Sequence, residues 1–203
     1  CFDAMVRWVG YAEFAAANAR HESKTWAEAP HEKFLWDTGF HWGEWLEPGV
    51  DTTDFGVLLT ADRADVATPY LHRSAKQMVV AGKILGKPES VLEHYRKVAE
   101  NTKNAWQKEF ITSDGLLNPD TQAHYVRALD FGLAPDELHD KFVNRLVELV
   151  RAAGTHLGTG FLTTPYLLPV LADNGHLDLA FELLFQDTPP SWLAMRNRGA
   201  TTV

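Results

Sequence analysis

Thr163-Thr164-Pro165-Tyr166-Leu167 is the stretch from which the fold is read, because it recurs. Working outward from it, Ala67-Thr68-Pro69-Tyr70-Leu71 and Thr121-Gln122-Ala123-His124-Tyr125 have the same character. Each places a Thr and a Tyr at or near a helix start. The tyrosines lie about 55 and then about 41 residues apart. A helical hairpin repeated at that period cannot bury its apolar face alone and does so by stacking on its neighbours. The prediction is an all-α helical-hairpin toroid, closed into a ring or left as an open superhelix. Chance likeness among Thr- and Tyr-containing helix starts is the plainer alternative.

The flanking sequence is helical throughout. Phe2 to Ala19 carries an i, i+3, i+4 stripe through Met5, Val6, Val9, Ala12 and Ala16. Ala64 to Leu85 repeats it, and Gly86 is a stop. Pro88 opens a helix that runs to about Phe110. Asp120 or Thr121 caps a helix reaching Asp130. Pro135-Asp136-Glu137 opens another that ends at Gly154, with its acids where the helix dipole favours them. Helices over about Phe161 to Ala172 and Leu177 to Phe185 follow, joined by Asn174-Gly175. Phe55 to Leu59 is ambiguous between helix and strand. The Thr/Tyr helices carry few charges, as an inner layer would, whereas Glu89–Glu109 and Asp136–Arg151 have one heavily charged face, as an outer layer would.

Composition narrows the function. Hydrophobic residues make up 45% and charged residues 23% of 203, ordinary for a globular domain. A net charge of −8 with no Lys/Arg cluster argues against nucleic acid as a partner. No apolar run reaches the length of a membrane span. The single cysteine, Cys1, leaves no internal disulfide and no multi-cysteine zinc site. The sequence begins at Cys1 without an initiator Met and stops on Thr201-Thr202-Val203 with no terminating signal, so it is expected to be part of a longer chain. Its compartment, cytoplasmic or secreted, is left open.

The residues that suggest chemistry lie outside the repeats, in Trp36-Asp37-Thr38-Gly39-Phe40-His41-Trp42-Gly43-Glu44-Trp45-Leu46-Glu47-Pro48-Gly49. Three Trp, one His and three carboxylates fall within 14 residues broken by Gly and Pro. Flat aromatic faces stack on the C–H faces of sugar rings, and carboxylates accept hydrogen bonds from sugar hydroxyls. Trp42 and Trp45 are therefore candidate platforms, with Asp37 and Glu44 as candidate carboxylates; aromatics that merely plug the end of the helical array are the alternative. His156, in the Gly-rich turn Thr155–Gly160, and Trp192, after Asp187-Thr188-Pro189-Pro190-Ser191, are further candidates for the pocket, with local packing as the competing reading for each. His72, His94 and His124 lie on helices and read as surface or packing residues. No phosphate loop, HExxH or Gly-x-Ser-x-Gly is present, and no spacing suggests a metal or cofactor.

Trp42-Gly43-Glu44-Trp45-Leu46-Glu47-Pro48 resembles the conserved loop of bacterial α-L-rhamnosidases of glycoside hydrolase family 78. Leu157–Leu168, Asp178–Leu184, Pro190-Ser191-Trp192 and Gly199–Val203 resemble that family in the same order, as do the Thr68 and Thr121 helices. The resemblance implies that residues 1–203 are part of an (α/α)6 barrel, continued at both ends. It implies an inverting hydrolysis in which one carboxylic acid protonates the glycosidic oxygen and another carboxylate activates water. The family's acid precedes the segment matching Cys1, and its base follows the Thr-Thr-Val stretch, so neither is expected within residues 1–203. Glu44 and Trp45 match the sugar-binding loop, with Glu44 where many members carry Asp, and His156 matches a His near the pocket. The implied partners are a rhamnosylated glycoside and the rest of the same polypeptide, with self-association through apolar faces left uncovered. A different (α/α)6 glycosidase or polysaccharide lyase, and a non-catalytic repeat module, are the alternative readings.

Overall fold

The computed structural model describes residues 1–22, 29–50 and 53–202, and among them it is all-α, with no strand. Val203, which ends one of the quoted stretches, lies outside the described residues. Among the described residues nine α-helices follow in order: α1 (Phe2–Asn18), α2 (Phe55–Thr60), α3 (Ala64–Ile84), α4 (Glu89–Phe110), α5 (Gln122–Asp130), α6 (His139–Ala152), α7 (Thr164–Asp173), α8 (Leu177–Leu184) and α9 (Trp192–Asn197). The ambiguous patch at Phe55 is the short helix α2. None of the described helices is long and apolar enough to cross a membrane. The chain divides into two compact units, Cys1–Gly43 with Asp54–Ile111, and Glu44–Thr53 with Thr112–Val203.

In the first unit α3 packs against both α1 and α4. Its core joins Phe2, Val9, Ala12 and Ala16 of α1 to Leu71, Ala75 and Met78 of α3 and Tyr95, Val98 and Ala99 of α4. On α4 the buried positions Leu92, Tyr95, Val98, Ala99, Thr102, Ala105 and Trp106 follow helical spacing, which leaves the charged face outside. The α3–α4 turn is set by Gly86, at φ +61, where a side chain would be strained. That conformation lets Lys87 N–H reach Gly82 O at 2.9 Å and Gly86 N–H reach Lys83 O at 3.1 Å, satisfying carbonyls at the helix end. His72 is a packing residue, buried, with Nδ1–H donating to Ala99 O at 2.7 Å.

The second unit holds the α5–α6 and α7–α8 hairpins, with α5 also against α7. Seven consecutive residues of α5, Gln122 to Ala128, are buried, as expected of an inner helix. On α6 only Phe142, Val143, Leu146 and Val150 are buried, as expected of an outer one. Full burial of a side chain such as Phe142 stabilises by about 1.5–3 kcal/mol. Thr121 caps α5 by accepting from His124 N–H, and His124 is itself buried. A polar clamp ties the pair together: Arg145 holds Asp120 with both Nε and Nη2, Tyr125 O–H donates to Asp120 Oδ1 at 2.9 Å, and Leu117 N–H donates to the Tyr125 oxygen at 3.0 Å. Burial pushes the Tyr125 phenol up to about 12, while the Arg145 guanidinium holds the Asp120 carboxyl below the usual carboxylate range.

Candidate functional site

The Trp-rich loop is distributed over the two units. Trp36 to Gly43 belong to the first and Glu44 to Gly49 to the second.

In the first unit Trp36 N–H donates to Thr68 Oγ1 at 2.9 Å, so the buried Thr of the repeated motif fixes the start of the loop. Trp36 meets the Trp8 and His41 rings edge-on, at 6.0 and 6.3 Å between centroids. Trp42 and Phe40, each half exposed, form an edge-to-face pair at 4.7 Å, with aromatic rings open to solvent. Asp37 is only 4% exposed, and neither of its carboxylate oxygens has a hydrogen-bond partner among the described residues. Burial pushes its carboxyl above the ordinary range, against the opposing attraction of Arg20.

In the second unit Glu44 departs from the picture of a carboxylate offered to sugar hydroxyls. It is buried, and both of its oxygens are engaged. Glu44 Oε2 accepts from Arg127 Nη1 at 2.5 Å. Glu44 Oε1 accepts from Thr163 N–H at 2.9 Å and from Thr163 Oγ1–H at 2.6 Å. The physical reason is that Arg127, 1% exposed in the middle of α5, is a buried cation that requires a buried anion. The next residue is fastened by its backbone: Trp45 O accepts from Phe161 N–H at 2.8 Å. Trp45 itself is partly exposed. The contact is close because residue 160 is Gly; a Cβ there would lie 2.4 Å from Trp45 O and 2.8 Å from Glu44 O. Beyond it the chain turns back, with Glu47 N–H donating to Glu44 O at 3.1 Å and Leu46 at φ +63, a left-handed conformation uncommon outside Gly.

These contacts explain why α7 begins at Thr164 and not at Phe161 as the sequence suggests. Residues 161 to 163 are held by the 44–45 segment, and Thr164 Oγ1–H closes the turn onto Gly160 O at 2.7 Å. On the other flank Gln122 accepts from Gly158 N–H at 2.8 Å and donates to His156 O at 3.2 Å. His156 is partly exposed; its Nδ1 pairs with Ala153 O at 3.0 Å and its Nε2 with Thr188 Oγ1 at 2.8 Å, joining two loops that the sequence singles out separately. Trp192 is the first residue of α9 and not part of a loop, because Ser191 caps that helix by accepting from Ala194 N–H at 3.2 Å.

Sequence reasoning missed Arg127, Thr163 and Gly160. The one available signal was Arg127 itself, a lone Arg in a helix with few charges. Thr163 reads in the sequence as part of a helix start, with no sign of a partner.

Residues 6–203 match the family model of the bacterial alpha-L-rhamnosidase 6 hairpin glycosidase domain. An alpha-L-rhamnosidase of Streptomyces avermitilis is 38% identical over 162 residues, 80% of this chain and 15% of that protein. One from Formosa agariphila is 37% identical over 141 residues, 68% of this chain and 15% of that protein. Among solved structures, Streptomyces avermitilis alpha-L-rhamnosidase complexed with L-rhamnose superposes with a TM-score of 0.79 at 32% identity, over all of this chain and 17% of that one. Native α-L-rhamnosidase from Aspergillus terreus gives 0.80 at 26% identity, over all of this chain and 22% of that one. The chain thus spans about 15% of the length of these two bacterial relatives. The family match covers residues 6–203 and the superpositions cover the whole chain, and the chain belongs to the bacterial α-L-rhamnosidase six-hairpin glycosidase family.

Proposed function

We propose that residues 1–203 supply sugar-facing parts of an enzyme that removes terminal α-L-rhamnose from glycosides with inversion. The observation that carries this reading is the anchored Trp45: a partly exposed indole on a loop fixed to a turn by a buried ion pair and a backbone hydrogen bond, within a domain matched along residues 6–203. Trp45, in the second unit, gives a stacking face to the rhamnose ring. The exposed Trp42–Phe40 pair is an aromatic surface of the first unit, taken by itself. His156 and Trp192 contribute further polar and aromatic groups. Asp37 is a buried carboxyl of the same loop, raised above the ordinary range by burial. That the Streptomyces avermitilis relative was solved with L-rhamnose supports the choice of sugar.

Inversion needs a carboxylic acid on the leaving oxygen and a carboxylate on the attacking water, on opposite faces of the ring. Glu44 is committed to Arg127 and Thr163, and Asp37 is enclosed, so neither is offered for that pair. The acid and base come from elsewhere in the polypeptide.

The test uses a polypeptide that carries residues 1–203 within a complete six-hairpin domain. Trp45→Ala is expected to lower kcat/KM for p-nitrophenyl α-L-rhamnoside at least about tenfold, or about 1.4 kcal/mol. Proton NMR of the reaction should show β-L-rhamnose as the first product. Unchanged kinetics would remove Trp45 from the site, and α-L-rhamnose appearing first would rule out inversion.

A further inference from the structure

We infer that Glu44, Arg127 and Thr163 form a buried positioning unit that holds Trp45 in place, and that Glu44 acts through this unit and not by contact with the sugar. The inference deepens the rhamnoside reading and rests on it only for the role of Trp45. Glu44 and Arg127 are 83 residues apart in sequence, and Glu44 and Thr163 are 119 apart, yet all three side chains are buried and Glu44 bonds both of the others. Arg127 has no other carboxylate within ion-pair distance among the described residues. Glu44 immediately precedes Trp45, whose own carbonyl is tied to Phe161 N–H. The pair therefore fixes the backbone on one side of the indole and the Phe161 bond fixes it on the other.

Two further features fit an anchor. Gly160 lets the Glu44–Trp45 backbone lie against the turn with no space for a methyl group between them. Leu46, directly after Trp45, is held at φ +63, a conformation that persists for a non-Gly residue only when its surroundings over-determine it. A carboxylate that met the sugar would need solvent access, whereas the side chain of Glu44 is 4% exposed and that of Arg127 1%. Removing one member of such a pair leaves the other charged and unpartnered, so the loop is expected to move instead of relaxing locally.

The readout is ¹⁹F NMR of the 5-fluorotryptophan-labelled chain, with the Trp45 signal assigned by its loss in Trp45→Phe. Without any sugar, Arg127→Met and Thr163→Val are expected to shift or broaden that signal, and Thr163→Ser, which restores the hydroxyl, to return it to place. A Trp45 signal unmoved in both Arg127→Met and Thr163→Val overturns the inference; Thr163→Val decides alone if Arg127→Met fails to fold. Kinetics give an independent arm. In the complete domain Glu44→Gln and Arg127→Met should each lower kcat/KM on the rhamnoside about tenfold, and the double variant no further, because they disable one unit. A multiplied loss of about a hundredfold would make Glu44 an independent sugar ligand and overturn the inference. Because the NMR arm needs no sugar, it stands or falls separately from the rhamnoside reading.

Discussion

Gly160 shows how far a single residue constrains this loop. A Cβ there would meet backbone oxygens at 2.4 and 2.8 Å, and backbone cannot swing aside as a flexible side chain does. Gly160→Ala is expected to destabilise the chain by at least about 2 kcal/mol, read by denaturant unfolding. Asp37 makes a prediction of a different kind. Its carboxyl is raised by burial, so above the ordinary carboxylate range the folded state retains a proton that the unfolded state gives up. The stability tied to this group is present at low pH and is lost as pH rises through the raised value. Asp37→Asn, which has no charge to bury, should therefore raise Tm more at about pH 7 than at about pH 4. Equal gains at both values would show that burial of the charge is not what matters there. At this scale the sequence displayed residue types and not their partners. The Trp, Gly and carboxylates between Trp36 and Gly49 were legible as an unusual loop. The pairing of Glu44 with Arg127 was not, because no local spacing reports a contact across 83 residues.

Elements were easier to read than residues. Helical periodicity located α1, α3, α4 and α6 to within a few residues, because each has a buried stripe at i, i+3 and i+4 spacing, and the cap at Asp120 or Thr121 located α5, which is buried nearly all round. The failures occurred where side chains outside the helix decide its start. α7 begins three residues later than its apolar content suggests, since the 44–45 segment holds Phe161 and Thr163. α9 was hidden behind Pro189-Pro190, although Ser191 is an N-cap of ordinary type. Ser191→Ala is expected to cost about 1 kcal/mol and to leave α1, α3 and α4 unchanged, as measured by hydrogen exchange. The α5–α6 clamp predicts a comparable loss. Tyr125→Phe deprives Leu117 N–H of its acceptor and Asp120 of one donor, so it should cost about 1–3 kcal/mol in denaturant unfolding. No change would mean that water replaces the phenol without penalty.

At the scale of the whole molecule the repeated Thr/Tyr motif carried the fold class, because a hairpin period survives even when individual helix boundaries do not. It did not carry the division into two units, which depends on how long-range packing distributes the Trp-rich loop. Both units leave large apolar side chains in solvent. On α1 these are Trp8, Tyr11 and Phe14, and in the other unit they are Leu177, Phe181 and Phe185, beside an apolar groove lined by Leu168, Ala172 and Leu184. Such faces favour association. Sedimentation of residues 1–203 should show mass rising with concentration, and Phe181→Asp with Phe185→Asp should reduce it; a monomer at every concentration would refute this. The most direct measurement is hydrolysis of p-nitrophenyl α-L-rhamnoside by residues 1–203 alone and by a polypeptide that carries them within a complete six-hairpin domain. Release of p-nitrophenol is expected only from the longer polypeptide, because the proposed acid and base lie outside this stretch. Turnover by residues 1–203 alone would place catalytic carboxylates within them, and a folded but inactive complete domain would contradict rhamnoside as the substrate.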